Sequence, residues 1–477
     1  MASVLFRNCA VLITKAHPDG VISGGAVLVR GDRIEAVGAS ADIERLCADD
    51  QTVDVVDCSH KIVMPGLVNA HNHTPWGVVN LAYTAAYGSG MDVPADMDFN
   101  QVMDQFVMAP MAWFTDQSVH DLGLAGMLDQ IRYGTTTTAD ANNHPDGLYS
   151  AAVESGLRVV IQPQMLTNIQ LDGLDEDGYL GQAEDCLRNY HLGGSDRITV
   201  AVHPSWPWNC TTSLLQRGMA LAEKYDVQFA THLSEVVIEM EAANKAWADQ
   251  GGAIAHLKEI GLLTPRSLFF HGTELTEREI DMLAESGSAL VHNPELNAEL
   301  WARVANVPYW LTTGMTVGLG SDYGQFDMFS AMKFAGLFGR IARPEAAPLD
   351  SWTLLDLATM GSARALWLDK QVGTLEAGKL ADMITIDLRR SSGLVPFCDE
   401  PSWIVSLLTK QSTRLEVCDS LVNGTFLRRD NDFTTLNAAD ILGRAHEWSA
   451  KFLADYKQML ASGTPWHKQA HALFSRL

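Results

Sequence analysis

The sequence predicts an α/β chain with a (β/α)₈ TIM-like barrel and a small β-sandwich domain formed from both chain ends. Short apolar, β-rich runs alternate with amphipathic helical stretches from about residue 62, a pattern typical of parallel strands covered by helices. The chain has 477 residues, enough for one large barrel of roughly 250 to 330 residues and a smaller domain. Further short strands are predicted near both ends of the chain, and these supply the small domain.

The barrel strands are predicted from brief apolar runs that are separated by helical sequence, such as the amphipathic stretch 276–286. The number of repeated units favours a barrel, although the pattern alone also permits an open parallel sheet. The runs are residues 61–67, 158–162 (RVVIQ), 198–202 (ITVAV), 227–231 (VQFAT), 267–270 (SLFF), 288–291 (SALV) and 316–320 (TVGLG).

Turn signals mark the strands at the two ends of the chain. Gly31 follows one β-rich run and precedes another, and Asn423-Gly424 lies between apolar residues. We expect the strands of the two ends to pair with each other. The predicted boundaries are residues 1–61 and 375–435 for the small β-sandwich domain, 62–374 for the barrel and 436–477 for a C-terminal helical extension.

The composition is that of a globular protein with a strongly acidic surface. Apolar residues make up 47% and charged residues 19%, and 58 acidic against 34 basic residues give a net charge of −24. This charge argues against nucleic acid and anionic membranes as partners. The seven cysteines are scattered without a CxxC pair, which is typical of reduced thiols. Because neither a signal peptide nor a transmembrane run is evident, we expect a cytoplasmic protein.

Potential metal ligands follow several of the predicted barrel strands. His71 and His73 follow the first run, His232 follows VQFAT, His271 follows SLFF, and Asp322 follows TVGLG after one serine. The loops after the strands build the active site of a (β/α)₈ barrel. Taken singly, each residue has a structural interpretation, such as a helix cap for Asp322. Four donor-bearing strand ends in barrel order rarely arise by chance.

These residue types suit one divalent ion and hydrolytic chemistry. Alternation along an extended chain places His71 and His73 on the same side, and further imidazole and carboxylate donors leave a coordination position open for water. A bound ion lowers the pKa of that water towards neutrality. Asp322, His271 and Glu235 are candidates for the base and the proton shuttle.

Five stretches of the chain fit one known pattern. They are residues 63–73 (VMPGLVNAHNH), 231–235 (THLSE), 292–297 (HNPELN), 317–322 (VGLGSD) and 373–382 (GTLEAGKLAD). Together they resemble the amidohydrolase superfamily, in particular its mononuclear branch of triazine hydrolases, chlorohydrolases and adenosine-type deaminases. The resemblance covers nearly all of residues 1–430, and its motifs are specific in combination.

The resemblance implies a role for each matching residue. Glu235 would relay protons between water, ring nitrogen and leaving group, His271 would polarise the water or the substrate, and Asp322 would take the first proton from water. His203 would lie in the substrate pocket, and His292 and Asn297 would shape its far wall. The implied metal ligands are His71, His73, His232 and Asp322.

The resemblance also bears on the metal. Related binuclear enzymes bridge two ions with a carboxylated lysine on a middle strand, and this chain has no lysine between Lys61 and Lys224. We therefore expect one divalent ion per chain. Zinc is the first choice, with iron, manganese and cobalt as alternatives.

Departures from the family pattern indicate an aromatic, uncharged pocket. The segment after His73 contains Trp76 and lacks the arginine of many relatives, Trp206 follows His203, and Tyr323 follows Asp322. A flat, neutral, nitrogen-rich ring would fit such walls, although the aromatic residues could instead pack the barrel rim. Asp327 is a further candidate contact, to a substrate amino group.

Three functional hypotheses follow from the sequence. The leading one is hydrolytic deamination, dealkylamination or dechlorination of a triazine, purine, pterin or pyrimidine by metal-activated water. The second is hydrolysis of an acyclic amide, urea or carbamate, and the third is a non-catalytic barrel in assembly or regulation. We expect a small-molecule substrate and a homodimer or higher homo-oligomer. Trp448 and Trp466 indicate either a subunit contact or a strap across the barrel.

Overall fold

A computed structural model describes residues 3–79, 109–166, 173–191, 193, 196–324, 326–390, 400–411 and 416–462 of the chain. Its central part is a barrel of parallel strands surrounded by helices. Numbered 1 to 8 along the chain, the barrel strands are Leu67–Asn72, Thr135–Asn142, Arg158–Met165, Ile198–Val200 with its continuation His203–Pro204, Phe229–Leu233, Ser267–His271, Ala289–His292 and Thr316–Leu319.

Short contacts close the ring of strands into a barrel. Strands 1 to 4 and strands 5 to 8 form two parallel sheets. Single parallel bridges from Val202 to Phe229 and from Asn72 to Asp322 join these sheets. The Ser321 N–H also donates to Oδ1 of Asn69 over 3.0 Å. The loops after strands 1 and 8 are therefore held next to each other.

Two strands differ from the sequence prediction. Strand 2, Thr135–Asn142, was not predicted because its TTTTADAN sequence is polar, yet all of its residues are buried. The run 61–67 is divided at Gly66 between Lys61–Pro65, which belongs to an outer sheet, and strand 1. A Cβ atom at Gly66 would lie 2.1 Å from Oγ1 of Thr136, so only glycine permits this close passage.

The helices cover the barrel and largely follow the expected periodicity. Helix Glu277–Glu285 begins with a capping box between Thr276 and Glu279 and buries Ile280 and Leu283. The other α-helices of the described residues are Ser40–Leu46, Ala109–Trp113, Asp116–Arg132, Pro145–Ser155, Glu176–Asn189, Thr212–Tyr225, Val237–Ala246, Ala253–Glu259, Pro294–Trp301, Val307–Thr312, Met328–Ala342, Ser351–Asp356, Ser362–Ala365, Pro401–Lys410 and Ala438–Ser462. Leu357–Gly361 is π-helical, and Pro18–Gly20, Pro207–Asn209 and Ala248–Gln250 are 3₁₀ turns.

Two further sheets are built from the ends of the chain: the first contains only N-terminal strands, and the second combines strands from both ends. Phe6 and Val27 of the first sheet pack with Leu12, Met383 and Leu421 of the second in one buried cluster, as in a sandwich. The first sheet has the order Arg33–Ala39, Gly25–Arg30, Ser3–Cys9 and Asp54–Asp57. The second has the order Asp432–Phe433, Thr425–Arg429, Val417–Val422, Met383–Asp387, Lys61–Pro65, Val11–Ile13 and Val21–Ile22.

The C-terminal helix Ala438–Ser462 packs on the outside of the barrel. The indole N–H of Trp448 donates to Asp121 over 2.9 Å, and the indole N–H of Trp113 donates to Asp455 over 2.9 Å. Trp448 thus contacts its own chain, whereas Trp466 lies outside the described residues. No helix in the described ranges has the length and apolar character that a membrane span requires.

Candidate active site

Metal-ligand side chains meet at the carboxyl ends of strands 1, 5, 6 and 8. His71, His73, His232, His271 and Asp322 come together there, and each exposes 9% of its surface or less. We call these residues the histidine–aspartate cluster. Its location follows from the barrel, because parallel strands present their carboxyl ends at the same face.

The distances within this cluster are those of groups around a common centre. The Nε2 atoms of His73 and His232 are 3.2 Å apart. Oδ2 of Asp322 lies 3.6 Å from Nε2 of His71 and 3.4 Å from Nε2 of His271. The potential ligand atoms of His71, His232 and His271 all lie within 4.8 Å of one another, as do those of His71, His73 and Asp322. One ion between them can therefore be reached by several donors.

Backbone carbonyls orient two of the imidazole rings. Nδ1 of His73 donates to the carbonyl of Ala141 over 2.9 Å, and Nδ1 of His232 donates to the carbonyl of Ser205 over 2.6 Å. Each bond leaves the Nε2 lone pair directed towards the other histidines. Such a partner on the far nitrogen is the usual support of a metal-binding histidine.

Burial keeps the imidazoles in the neutral form that binds metals. Desolvation, followed by repulsion from the neighbouring imidazoles, lowers the pKa of His71 and His232 well below the ordinary value. Desolvation also lowers the pKa of His73, against the attraction of Asp322. Neutral imidazoles need not lose a proton before they coordinate an ion at neutral pH.

The cluster also contains buried polar atoms that lack protein partners. Both ring nitrogens of His71, Nε2 of His271 and Oδ2 of Asp322 accept or donate no hydrogen bond within the described part of the chain. A buried polar atom without a partner is costly and calls for an explanation. Because nitrogen and carboxylate donors suit zinc and similar divalent ions, the residues present fit such an ion.

The backbone is strained at three of the strand ends. Ser234 after strand 5, His271 at the end of strand 6 and Asp322 after strand 8 have φ values of 55°, 77° and 55°. This left-handed region costs a non-glycine residue of order 1 to 3 kcal/mol. Strain of this kind is typical of functional sites, where it directs a side chain to a required position.

Glu235 lies beside the histidine–aspartate cluster. Its Oε2 is 3.7 Å from Nε2 of His271 and accepts a long hydrogen bond of 3.4 Å from the indole of Trp206. The same indole stacks on His232 at 4.4 Å between ring centroids. Trp206 thus connects the carboxylate to a member of the cluster.

Asn297 has a different position from the one expected. Its Oδ1 accepts a hydrogen bond of 2.9 Å from Nδ1 of His271, so it orients that ring instead of forming the far wall of the cavity. His292 is buried nearby, with its ring against Trp310. Burial and the nearby His271 lower the pKa of His292 to about 3.

A cavity opens above the cluster, with about 530 Å³ of space outside the protein atoms, part of which is open to solvent. The sequence-predicted residues Trp76, Trp206 and Tyr323 line it together with Glu235. None of its described lining residues is Lys or Arg. The cavity is also lined by residues that no sequence motif indicated, namely Met111, Phe114, Ala141, Asn142 and Gln164.

Two further predicted contacts lie away from this lining. His203 is fully buried, donates from Nδ1 to the carbonyl of Ala230 over 3.0 Å, and packs 5.2 Å from the ring of His232. Asp327 caps helix Met328–Ala342 by accepting the N–H groups of residues 329 and 330. Its side chain therefore supports the helix that follows strand 8.

The comparison with protein families decides the class of the chain. A model described as the amidohydrolase family matches residues 62–427. The chain belongs to the amidohydrolase family. The predicted family, the predicted barrel fold and the predicted class of hydrolase acting on C–N bonds are confirmed by this match and by the relatives below.

Curated relatives of this amidohydrolase are similar over almost their full length. A 5-methylthioadenosine/S-adenosylhomocysteine deaminase of Syntrophobacter fumaroxidans is 31% identical, over 93% of this chain and 97% of the relative. A 5′-deoxyadenosine deaminase of Methanothermobacter thermautotrophicus is 30% identical, over 93% of this chain and 99% of the relative.

Solved structures share the fold of this amidohydrolase. An adenosine deaminase from Xanthomonas campestris with bound zinc superposes with a TM-score of 0.84, at 24% identity over 95% of this chain and 99% of that one. An atrazine chlorohydrolase from Arthrobacter aurescens with zinc gives a TM-score of 0.78, at 21% identity over 94% of this chain and 100% of that one.

Proposed function

We propose that this amidohydrolase is a metal-dependent deaminase that hydrolyses the exocyclic amino group of a neutral purine nucleoside of the adenosine type. The observation that carries the proposal is the histidine–aspartate cluster, whose unpartnered buried atoms lie beside Glu235 at the base of an aromatic cavity. The named activities of the similar deaminases support the substrate class.

We assign the ion to His71, His73, His232 and Asp322, with one zinc per chain as the expected occupancy. His271 meets the same distance requirement, but its bond to Asn297 and its position between Asp322 and Glu235 suit a role beside the reacting water. When bound, the ion supplies Lewis-acid chemistry that lowers the pKa of water towards neutrality.

The protein's own groups would then manage the protons. Asp322 accepts the first proton from water, and the water oxygen adds to the ring carbon that bears the amino group. Glu235 takes the remaining proton of the added oxygen and delivers it to the adjacent ring nitrogen, and it then passes the proton held by Asp322 to the departing amine. The C–N bond breaks, ammonia leaves, and the ring keeps the oxygen as a carbonyl.

The charge around the site favours a neutral substrate. The chain has no Lys or Arg between Lys61 and Arg132, a span that includes Trp76 and leads to strand 2. Arg158, the next basic residue, is bound to Asp382 at 2.8 Å and starts strand 3 at the opposite end of the barrel. This part of the chain therefore offers no cationic side chain that would strengthen the binding of a substrate phosphate or carboxylate.

A substrate screen tests the proposal. The zinc-loaded protein is assayed for ammonia release from adenosine, 5′-deoxyadenosine, 5-methylthioadenosine, S-adenosylhomocysteine, adenosine monophosphate, guanine and an aminotriazine. We expect the neutral adenine nucleosides to give the highest kcat/KM, at least about tenfold above the monophosphate. Activity on acyclic amides or ureas alone would favour the second hypothesis, and no activity with a full complement of zinc would contradict catalysis.

The expected cellular context adds two predictions. We propose a homodimer, which analytical ultracentrifugation at several concentrations would check, and a cytoplasmic location. The described residues that line the cavity and form the histidine–aspartate cluster all come from one chain. We therefore expect a monomer, if one forms, to keep its metal.

A further inference from the structure

The loop that carries Glu235 is short and strained. It connects strand 5, which ends at Leu233, to helix Val237–Ala246, and Ser234 within it has a φ of 55°. A proton shuttle must stay within hydrogen-bond reach of the atoms that it serves. The loop therefore needs contacts that hold the backbone on either side of Glu235.

A second glutamate, Glu239 in the first turn of helix Val237–Ala246, supplies one set of these contacts. Glu239 exposes 3% of its surface and accepts the N–H of Ser234 over 3.2 Å and the N–H of Glu235 over 2.8 Å, one with each carboxylate oxygen. An ordinary capping glutamate at this position bonds the residue directly before the helix. Glu239 instead reaches back to the strained residue and to Glu235 itself.

The loop after strand 6 holds the opposite side. Oγ1 of Thr273 lies 2.9 Å from the carbonyl of Ser234 and 2.5 Å from that of Glu235. The N–H of Glu274 donates to the carbonyl of Ser234 over 3.2 Å. The backbone at Glu235 is thus fixed through its amides by Glu239 and through its carbonyls by the loop that follows His271.

Glu239 also places a second carboxyl group near the proton shuttle. Burial, followed by the negative charge of Glu235, raises the pKa of Glu239 to about 7. His271 is the other residue of the site that acts electrostatically on Glu239, and it lowers the pKa of Glu239. On the facing loop, Glu274 forms an ion pair with Arg303 at 2.9 Å. Segment Pro207–Asn209 brings no charged residue, and Lys258 and Glu259 on the neighbouring helix are exposed.

We infer that Glu239 is a positioning residue for catalysis, which holds Glu235 at the reacting atoms and sets the charge around it. This inference rests on the proposed role of Glu235 as proton shuttle. Among the described residues, Glu239 contacts the cavity lining through the N–H of Glu235, but it is neither a lining residue itself nor a member of the groups of metal-ligand atoms. Its effect must therefore appear in kcat and in the pH profile, and not in metal content.

The test compares Glu239→Gln and Glu239→Ala with Glu241→Gln, a control on the same helix with an exposed side chain. We expect Glu239→Gln to lower kcat by about 10- to 100-fold, a range typical for outer partners of active-site groups, with KM within about twofold. Glu239→Ala should lose more, because it retains no acceptor for either N–H. Zinc content should equal that of the parent in both variants.

A pH profile of kcat/KM and a double-mutant cycle separate this role from a purely structural one. The parent should lose activity as the pH falls through about 7, as Glu239 takes up a proton, and Glu239→Gln should lack this step. In a Glu235→Gln background, Glu239→Gln should cause no further loss. The inference would be overturned if Glu239→Gln had the same kcat as Glu241→Gln. It would also be overturned if the double variant lost kcat by the product of the two single losses. If Glu235→Gln keeps parental activity, the assignment of Glu235 fails first, and the inference with it.

Discussion

Two buried polar clusters in this chain differ in how well their polar atoms are hydrogen-bonded by other protein groups. The salt-bridge cluster, Lys61, Thr385 and Asp419, lies in the seven-stranded sheet. Lys61 Nζ is 2.8 Å from Oδ2 of Asp419, the Thr385 hydroxyl donates to the same oxygen, and the N–H of Asp430 donates to Oδ1 over 2.7 Å. In the histidine–aspartate cluster, by contrast, several equally buried atoms have no hydrogen-bond partner in the part of the chain that the structure describes.

The difference separates structural from functional polar groups. A buried charge is tolerated when its partners are present in the protein, and the salt-bridge cluster meets this condition by itself. The histidine–aspartate cluster does not meet it among the described residues, and the proposed ion would complete it, so its polar residues are expected to reduce the stability of the metal-free protein. Removing a residue should therefore affect binding and catalysis in the second cluster, and folding in the first.

The largest effect is expected for Asp322→Asn. The substitution keeps the size of the side chain but removes the negative charge that lies 3.4 to 3.8 Å from His71, His73 and His271. We expect about one zinc per parent chain, and a loss of metal affinity beyond the roughly 100-fold that losing an outer partner costs. Metal analysis of protein purified without chelator, together with kcat/KM, measures both quantities.

Asp327→Asn is the control for this experiment, because Asp327 caps a helix outside the cavity lining. It should retain both zinc and activity. Two ions in the parent would contradict the mononuclear site, and full zinc occupancy in Asp322→Asn would remove Asp322 from the ligand set.

Lys61→Met should show the opposite behaviour. The side chains of Lys61 and Asp419 are 6% and 1% exposed, and the substitution leaves the carboxylate buried without its cation. Breaking such a pair costs about 3 to 5 kcal/mol in the free energy of unfolding. We expect this loss in urea denaturation of the zinc-free protein, while the folded enzyme keeps its kcat and zinc content.

Arg217→Ala serves as the matched control, since Arg217 pairs with Asp177 at the surface, where ion pairs contribute little. An Arg217→Ala variant as destabilised as Lys61→Met would show that burial is not what distinguishes the salt-bridge cluster. Loss of zinc from folded Lys61→Met would show that the two clusters are coupled.

The pH dependence of stability should also differ between the salt-bridge cluster and His292, a buried residue beside the histidine–aspartate cluster. Burial lowers the pKa of His292 to about 3, below the ordinary value near 6.5. The unfolded chain therefore binds more protons, and the zinc-free protein should lose up to about 1.4 kcal/mol for each pH unit below 6.5 from this residue. Burial raises the pKa of Asp419, but Lys61 outweighs it and the net pKa is lowered, so its contribution is lost only in more acidic solution.

Thermal unfolding of the zinc-free protein between pH 7 and pH 5 measures this slope. The slope should decrease in His292→Gln, which cannot take up the proton. An unchanged slope in that variant would assign the acid sensitivity to other groups.

Residue types and local pattern predicted much of this site from the sequence. The proposed ligands His71, His73, His232 and Asp322 stand at or shortly after the ends of apolar runs, so their common location follows from the barrel rule. Strand 2 was not predicted because it contains four threonines and an aspartate, so its buried residues do not form an apolar run. The role of Asn297 towards His271, and that of Glu239 towards Glu235, depend on contacts between separate loops or on backbone strain. Such contacts leave no periodic signal in the sequence.

The smallest effect is expected for Trp206→Phe, which tests how Glu235 is held next to the histidine–aspartate cluster. Phenylalanine keeps an aromatic face against His232 but removes the N–H that lies 3.4 Å from Oε2 of Glu235. Because that hydrogen bond is long, its loss should lower kcat by less than about tenfold. Trp208→Phe, whose ring lies 6.3 Å from that of Trp206, is the control and should match the parent. A Trp206→Phe loss as large as that of Glu235→Gln would mean that the indole, and not the backbone contacts of Glu239 and Thr273, holds the carboxylate in place.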